Sequence, residues 1–300
     1  MSSPDPRQAQ LGAFAALAAF GFWGLAPIYY KWFYGVPPLE ITAHRVIWAL
    51  PLLVIFLLWR DGRQRMLQRL RLPWRTLRWL LLSAWLVAFN WLIFVYAVST
   101  DQVLSTSLGY FINPLVNVLL GMVFLGERLG RLRLPAVLLA AFGTTYLGVY
   151  IGQPPWLALS LAFSFGFYGL IRKRLGVGPI IGLLWEVLWL LPAALVYLLW
   201  AGSHEHLYFF GVPGSVDALL MTAGLATVLP LLAFNAAAQR LSLTVLGFFQ
   251  YLAPSCTFLL AVLVYGEPFT HGHQVAFVCI WTALFLVSVG PLLRRRWQAA

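Results

Sequence analysis

The sequence predicts an all-α integral membrane protein whose ten transmembrane helices form two inverted five-helix repeats, with both termini cytoplasmic. Three observations predict it: 61% apolar against 10% charged residues, apolar runs of about 20 residues in close succession, and Lys and Arg confined almost entirely to alternate connections. A water-soluble globule of 300 residues needs more polar surface than this composition supplies.

The runs predict spans over 10–33, 39–59, 76–98, 103–125, 134–151, 155–172, 179–200, 216–238, 243–265 and 272–293. They are too long for membrane strands, which need only about 9–11 residues, and they lack apolar and polar alternation. A helix also pairs its backbone groups within the segment, as hydrocarbon requires. The first run reads as a retained anchor, because it is long for a signal sequence, carries Pro27 and Lys31 near its far end and precedes no small-residue cleavage site. Cys256 and Cys279 fall inside spans and read as small apolar packing residues.

The net charge of +11 does not point to nucleic acid, because no basic soluble domain carries it. Arg60, Arg63, Arg65, Arg69, Arg71, Arg75 and Arg78 surround the second connection, Arg128, Arg131 and Arg133 the fourth, Arg172, Lys173 and Arg174 the sixth, Arg240 the eighth, and Arg294 to Arg296 the C-terminal end. The connections between them carry almost no basic residue, with Lys31 the exception. The positive-inside rule then places both termini in the cytoplasm, and ten crossings satisfy it. Trp32, Trp59, Trp74, Trp79, Trp156, Trp200 and Trp297 stand near span ends and read as an interfacial belt.

Internal repetition divides the chain into 1–152 and 153–300. Phe20-Gly21-Phe22-Trp23-Gly24-Leu25 recurs as Phe165-Gly166-Phe167-Tyr168-Gly169-Leu170, differing only at the fourth position. Trp48 with Pro51 and Leu57-Leu58-Trp59 recur as Trp189 with Pro192 and Leu198-Leu199-Trp200. The interval from Pro114 to Gly126-Glu127 recurs from Pro254 to Gly266-Glu267. Five spans per unit turn the second unit upside down, so an interfacial pocket opens to either face by rocking. That build predicts a secondary transporter working by alternating access. A channel with inverted duplication, and a membrane-embedded enzyme using His44 or Glu186 as acid or base, are the other readings.

Polar residues deep in the spans are the site candidates, since a central charge costs about 2.5–3.5 kcal/mol to insert. Arg45 of span two and Glu186 of span seven occupy repeat-equivalent positions of opposite charge, with His44 adjacent. Arg45 is expected about 9 Å below one surface and Glu186 about 10 Å above the other, at 1.5 Å per residue. Arg45 suits an anionic substrate group, and Glu186 a substrate amine or a coupling proton; snorkelling or a structural ion pair is the competing account. Further candidates are Asn90, Tyr96, Ser107, Tyr110, Asn113 and Asn117 in the first repeat and Asn235, Gln250 and Tyr251 in the second. Tyr110, Asn113 and Asn117 share one helix face beside Pro114. Such a stripe lines a cavity or bonds helices together. Pro114 and Pro254 each remove a backbone hydrogen bond mid-span and mark kinks. Glu127 and Glu267 follow glycines and are placed to accept N–H groups from the next helix start.

No phosphate-binding glycine loop suggests ATP-driven pumping. His204, Glu205 and His206, or His271 and His273, lack zinc-motif spacing. Neither metal nor cofactor is expected; the expected partners are lipid, a small solute and protons. Oligomeric state is not encoded legibly.

Ala43-His44-Arg45, the run Ser107-Leu108-Gly109-Tyr110-Phe111-Ile112-Asn113-Pro114-Leu115 with Gly126-Glu127-Arg128-Leu129, Gly169-Leu170-Ile171-Arg172-Lys173, and Leu246 to Pro254 with Gly266-Glu267-Pro268-Phe269 carry a resemblance. Over nearly its whole length the chain resembles the RarD-type permeases of the EamA branch of the drug/metabolite transporter superfamily. Val187 stands after Glu186 where a threonine is expected. The resemblance implies a bacterial inner-membrane carrier that exports or exchanges small metabolites or drugs, such as amino acids or aromatic compounds, with gradient coupling.

Overall fold

The computed structural model describes residues 6–125, 133–152, 154–204, 206–211, 216–238, 240–241 and 249–288. Its regular elements are helical: α1 (Pro6–Lys31), α2 (Pro38–Leu70), α3 (Trp74–Ser99), α4 (Val103–Leu125), α5 (Arg133–Ile151), α6 (Trp156–Leu175), α7 (Pro179–Ser203), α8 (Val216–Ala238), α9 (Leu252–Leu259, running into a π-helical turn Leu260–Val264) and α10 (His271–Ser288). No strand occurs among the described residues. Seven of these helices are long and apolar enough to cross a bilayer: α1 to α5, α7 and α8. In α6 the closing Arg172-Lys173-Arg174 interrupts the apolar run, and α9 and α10 are shorter. Of the predicted ninth and tenth spans, residues 243–248 and 289–293 lie outside the described residues, as do Glu127, Glu205 and Trp297.

Proline begins many helices. Pro37, Pro73 and Pro155 precede α2, α3 and α6, and Pro38 and Pro179 open α2 and α7. A proline at a first turn sacrifices an N–H that would have no intrahelical partner, and its fixed φ suits the helix. Gly176, left-handed at φ 61°, stops α6 after its basic last turn.

The second helix differs from expectation at its far end. The apolar run stops at Trp59, yet α2 continues to Leu70 beyond a break at Gly62, where φ is 71° and ψ is 164°. Only glycine takes that conformation without a steric penalty. Asp61 sits inside the turn so formed, gripped by Arg60 at 2.9 and 2.7 Å and by Arg69 at 2.9 Å. The arginine-rich connection is therefore a folded, partly neutralised helical extension.

Lipid offers no hydrophobic drive for helices to associate, so close packing and hydrogen bonds must hold the bundle. The most extensive helix pairs are α5 with α10, α4 with α6 and α9, α2 with α7 and α8, α1 with α8 and α9, and α3 with α6 and α7, and smaller contacts join α3 to α1, α2 and α4 and α4 to α5 and α10. Both thiols are free; the β-carbon of Cys256 faces Gly24 of α1 and that of Cys279 faces Gly143 of α5, as packing residues would. Ser107 Oγ donates to the Pro254 carbonyl (2.8 Å) between α4 and α9. Asn113 Nδ2 donates to Ala162 O (3.0 Å) between α4 and α6.

Contacts sort by bundle end. At one end Lys31 pairs with Asp101 and lies over the Tyr265 ring, and Tyr150 meets His271. There too Glu267 accepts the N–H groups of Val103 (2.7 Å) and Leu104 (2.8 Å). Glu267 therefore caps α4, a distant helix, and not the next helix start as expected. Burial raises its carboxyl above the usual range while those two amides draw it back. At the opposite end Arg240 bonds Gln8 (3.2 Å), Trp185 bonds the Leu70 carbonyl (3.2 Å) and Arg174 bonds the Phe124 carbonyl.

Candidate substrate site

Arg45 points from α2 into the bundle and is buried. Its Nε donates to Thr227 Oγ1 on α8 (3.1 Å), and Thr227 in turn donates to the Ala223 carbonyl (2.9 Å). The guanidinium lies over Trp91 of α3, 4.4 Å from the ring centroid, and 5.4 Å from that of Tyr30 on α1. Cation–π contact of this kind contributes about 0.5–2 kcal/mol, more as water is removed. Four helices thus converge on one charge.

What lets α2 and α8 come close enough is Gly224, one turn before Thr227. A β-carbon there would lie 2.4 Å from the Trp48 carbonyl carbon. Backbone cannot yield as a flexible side chain does, so Gly224→Ala is expected to cost about 1–3 kcal/mol and to part Thr227 from Arg45. The expected result is a lower unfolding temperature in detergent together with reduced flux; a wild-type value of both would remove Gly224 from this account.

His44 stands beside Arg45 but looks elsewhere. Its Nδ1 accepts from Trp48 Nε1 (3.1 Å), its ring centroid is 4.6 Å from that of Phe209, and its Nε2 is buried without a hydrogen bond among the described residues. One turn earlier the fully buried Glu40 accepts the N–H groups of Tyr208 (3.0 and 3.2 Å) and Phe209 (2.9 Å). Asp217 accepts that of Phe210 (2.8 Å). Two carboxylates thereby hold three successive amides of the connection after α7.

Glu186 forms a separate centre. Ser83 Oγ donates to its Oε1 (2.7 Å), the Tyr168 hydroxyl to its Oε2 (3.4 Å), and Arg172 Nε lies 3.7 Å from Oε1. The Arg172 guanidinium fills the space over Gly182, and its Nη2 faces the carbonyls of Val177, Gly178 and Pro179 at 3.4–3.5 Å. Arg172, which the sequence groups with the loop charges, is thus a largely buried ion-pair partner, 12% exposed. Between the two centres run the rings of Tyr30, Phe94, Tyr110, Phe165 and Tyr168, with successive centroids 5.7, 6.0, 6.4 and 5.7 Å apart.

The remaining candidates divide by location. Tyr110 donates to Asn90 Oδ1 (3.3 Å), and Asn90 Nδ2 donates to the Leu161 carbonyl (3.0 Å) and Ser164 Oγ (2.9 Å). Asn117 donates to Asn113 Oδ1 (3.1 Å). Asn235 bonds back to its own helix at Leu231 (2.9 Å), while Gln250 and Tyr251 are half-buried just before α9. Tyr96 is 38% exposed, its ring against Trp156. Trp91, Tyr30, Thr227, Ser83 and Arg172 were not among the expected site residues. A cavity of about 640 Å³ lies apart from both centres, between α4, α5 and α6, and is walled mainly by apolar side chains such as Leu115, Ala140 and Phe163.

A bundle of long apolar helices with a buried arginine among aromatic rings defines a multi-pass membrane protein. Comparison with known proteins is more specific. The profile of the EamA-like transporter family matches residues 10–149 and again 154–289. The chain is 45% identical to Protein RarD of Salmonella typhimurium, covering 97% of this chain and 99% of that one, and 43% identical to Protein RarD of Escherichia coli K12, covering 97% and 98%. An uncharacterized transporter of Vibrio cholerae is 47% identical over 97% of this chain and 96% of its own. A crystal structure with a TM-score of 0.61 and 18% identity, covering 93% of this chain and 97% of that one, shares the fold. The chain belongs to the EamA-like transporter family, as a permease of the RarD type.

Proposed function

We propose that this transporter is a secondary carrier, gradient-driven or facilitative, that exports small metabolites or drugs across a bacterial inner membrane by alternating access. In this reading 1–152 and 153–300 are inverted five-helix repeats, ten helices cross the bilayer and both termini are cytoplasmic. The most extensive helix pairings support it, because exchanging each helix with the one five places along turns α1–α9 into α4–α6, α2–α8 into α3–α7 and α1–α8 into α3–α6, and returns α2–α7, α4–α9 and α5–α10 to themselves. The two successive family matches support it as well. So do the end contacts, since Lys31 with Asp101 and Glu267 with Val103 join connections assigned to the outer face. Pairing with Asp101 also offsets the one basic residue that breaks the charge rule.

The observation that carries the function is the buried Arg45 charge held at the junction of both halves. Candidate substrate contacts are Arg45, Tyr110 and Asn90, with Glu186 as the candidate coupling group. Purified protein in sealed vesicles is expected to show saturable, gradient-dependent flux. Single-channel currents, or chemical conversion of a solute without net movement, would replace this reading with a pore or an enzyme. Topology has its own test: in a chain with both native cysteines changed to Ala, an impermeant thiol reagent outside spheroplasts should label His206→Cys and spare Leu67→Cys. Labelling of both from one side would remove the inverted arrangement.

A further inference from the structure

We infer that the ligand of the Arg45 site is an aromatic organic anion, and that a zwitterion or an organic cation is discriminated against. This rests on the transporter reading above and narrows it to a substrate class.

The first support is that Arg45 has no counter-ion among the described residues. Every described carboxylate is engaged elsewhere: Glu40, Asp217 and Glu267 on backbone amides, Asp61 on Arg60 and Arg69, Asp101 on Lys31, and Glu186 on Ser83 and Arg172. Among the described residues Arg45 forms no ion pair, and only its Nε is hydrogen-bonded, to the neutral Thr227. Both Nη groups are left as a planar donor fork, which fits a carboxylate or sulfonate bidentately. An unpaired buried charge is costly, and a ligand that supplies the missing negative charge recovers that cost on binding.

A second, independent support is the wall around the charge. Trp91 and Tyr30 stack on the guanidinium. The faces and edges of these rings favour a planar, π-bearing ligand body. The third support concerns the opposite charge. An amine-bearing substrate needs a free acid, and Glu186, the deep acid, already accepts from Ser83 and pairs with Arg172. Among the described residues no carboxylate is left near Arg45 to receive an ammonium group, and the ring faces of Trp91 and Tyr30 that meet Arg45 are already taken by the guanidinium, so a positive ligand meets that charge with no acid to offset it.

The test uses full-length protein in lipid nanodiscs and three permanently charged or ring-free probes: benzenesulfonate, methanesulfonate and trimethylphenylammonium. Unfolding temperature is read against probe concentration. Benzenesulfonate is expected to stabilise the wild type at concentrations about tenfold below those needed for methanesulfonate, from its ring contacts, and trimethylphenylammonium to leave it unchanged. Arg45→Gln is expected to lose both anion responses. Trp91→Leu is expected to keep a response to both anions and lose the preference for the ring, which serves even if Arg45→Gln folds poorly. Absence of a benzenesulfonate response in the wild type, an equal response to the cation, or an unchanged ring preference in Trp91→Leu overturns the inference. Vesicle flux separates the two levels: a protein that carries the cation and ignores benzenesulfonate remains a carrier with the wrong substrate class assigned. Conversely, one that binds benzenesulfonate and moves no solute has an anion site without being a carrier.

Discussion

Arg45→Ala is expected to lower transport about 10- to 150-fold at subsaturating substrate while the protein still inserts and folds. Loss of a hydrogen bond to a charged substrate group costs about 1.5–3 kcal/mol, and loss of the stack on Trp91 and Tyr30 falls on the protein's stability and not on substrate binding. Insertion itself does not suffer, because an arginine deep in a span is unfavourable to insert and alanine is not. Thr227 loses a donor but keeps its own bond to Ala223. Flux in reconstituted vesicles, normalised to protein recovered in the membrane, is the measurement. Wild-type flux in the variant would sink the assignment of Arg45 as the substrate contact. Arg45→Lys retains charge without the planar fork and should fall between the two.

Glu186→Ala is expected to act mainly on stability. The carboxylate is fully buried and Arg172 nearly so, and removing one member of such a pair strands the other charge at a cost of about 3–5 kcal/mol. The double variant Arg172→Met with Glu186→Met should recover most of that loss, because long apolar side chains fill the space and no lone charge remains. Thermal unfolding in detergent compares the three proteins. If the double variant is no better than Glu186→Ala alone, the pair is not what holds the α6–α7 end together. The same double variant tests proton coupling: flux that still follows an imposed proton gradient without residue 186 ionisable would assign the coupling proton elsewhere.

The helices were legible because bilayer thickness sets a length and hydrocarbon demands continuous apolarity, two constraints written directly into the chain. Leu70 as the end of α2 was not, since the helix past Gly62 leaves the bilayer and loses the apolar signal that marked it. Arg45 and Glu186 announced themselves as charges in apolar runs. Their partners did not: Tyr30, Trp91 and Thr227 are ordinary residues for a membrane helix, and only the fold brings them to Arg45. Arg172 was hidden by its neighbours Lys173 and Arg174, which made all three look like one loop cluster. A signal did exist for Tyr168, the single departure from Trp23 in the repeated hexapeptide, and its hydroxyl is what Glu186 meets.

The clamps made by Glu40 and Glu267 close on main-chain nitrogen at residues 103, 104, 208 and 209. Identity at those four places is consequently free to drift among residues that fit the space, for the acid reads no side chain there. Proline is the one exception, since it alone arrives without the hydrogen that the acid holds. Selection at this rim therefore acts through two glutamates and a prohibition, and leaves little trace in the letters being gripped.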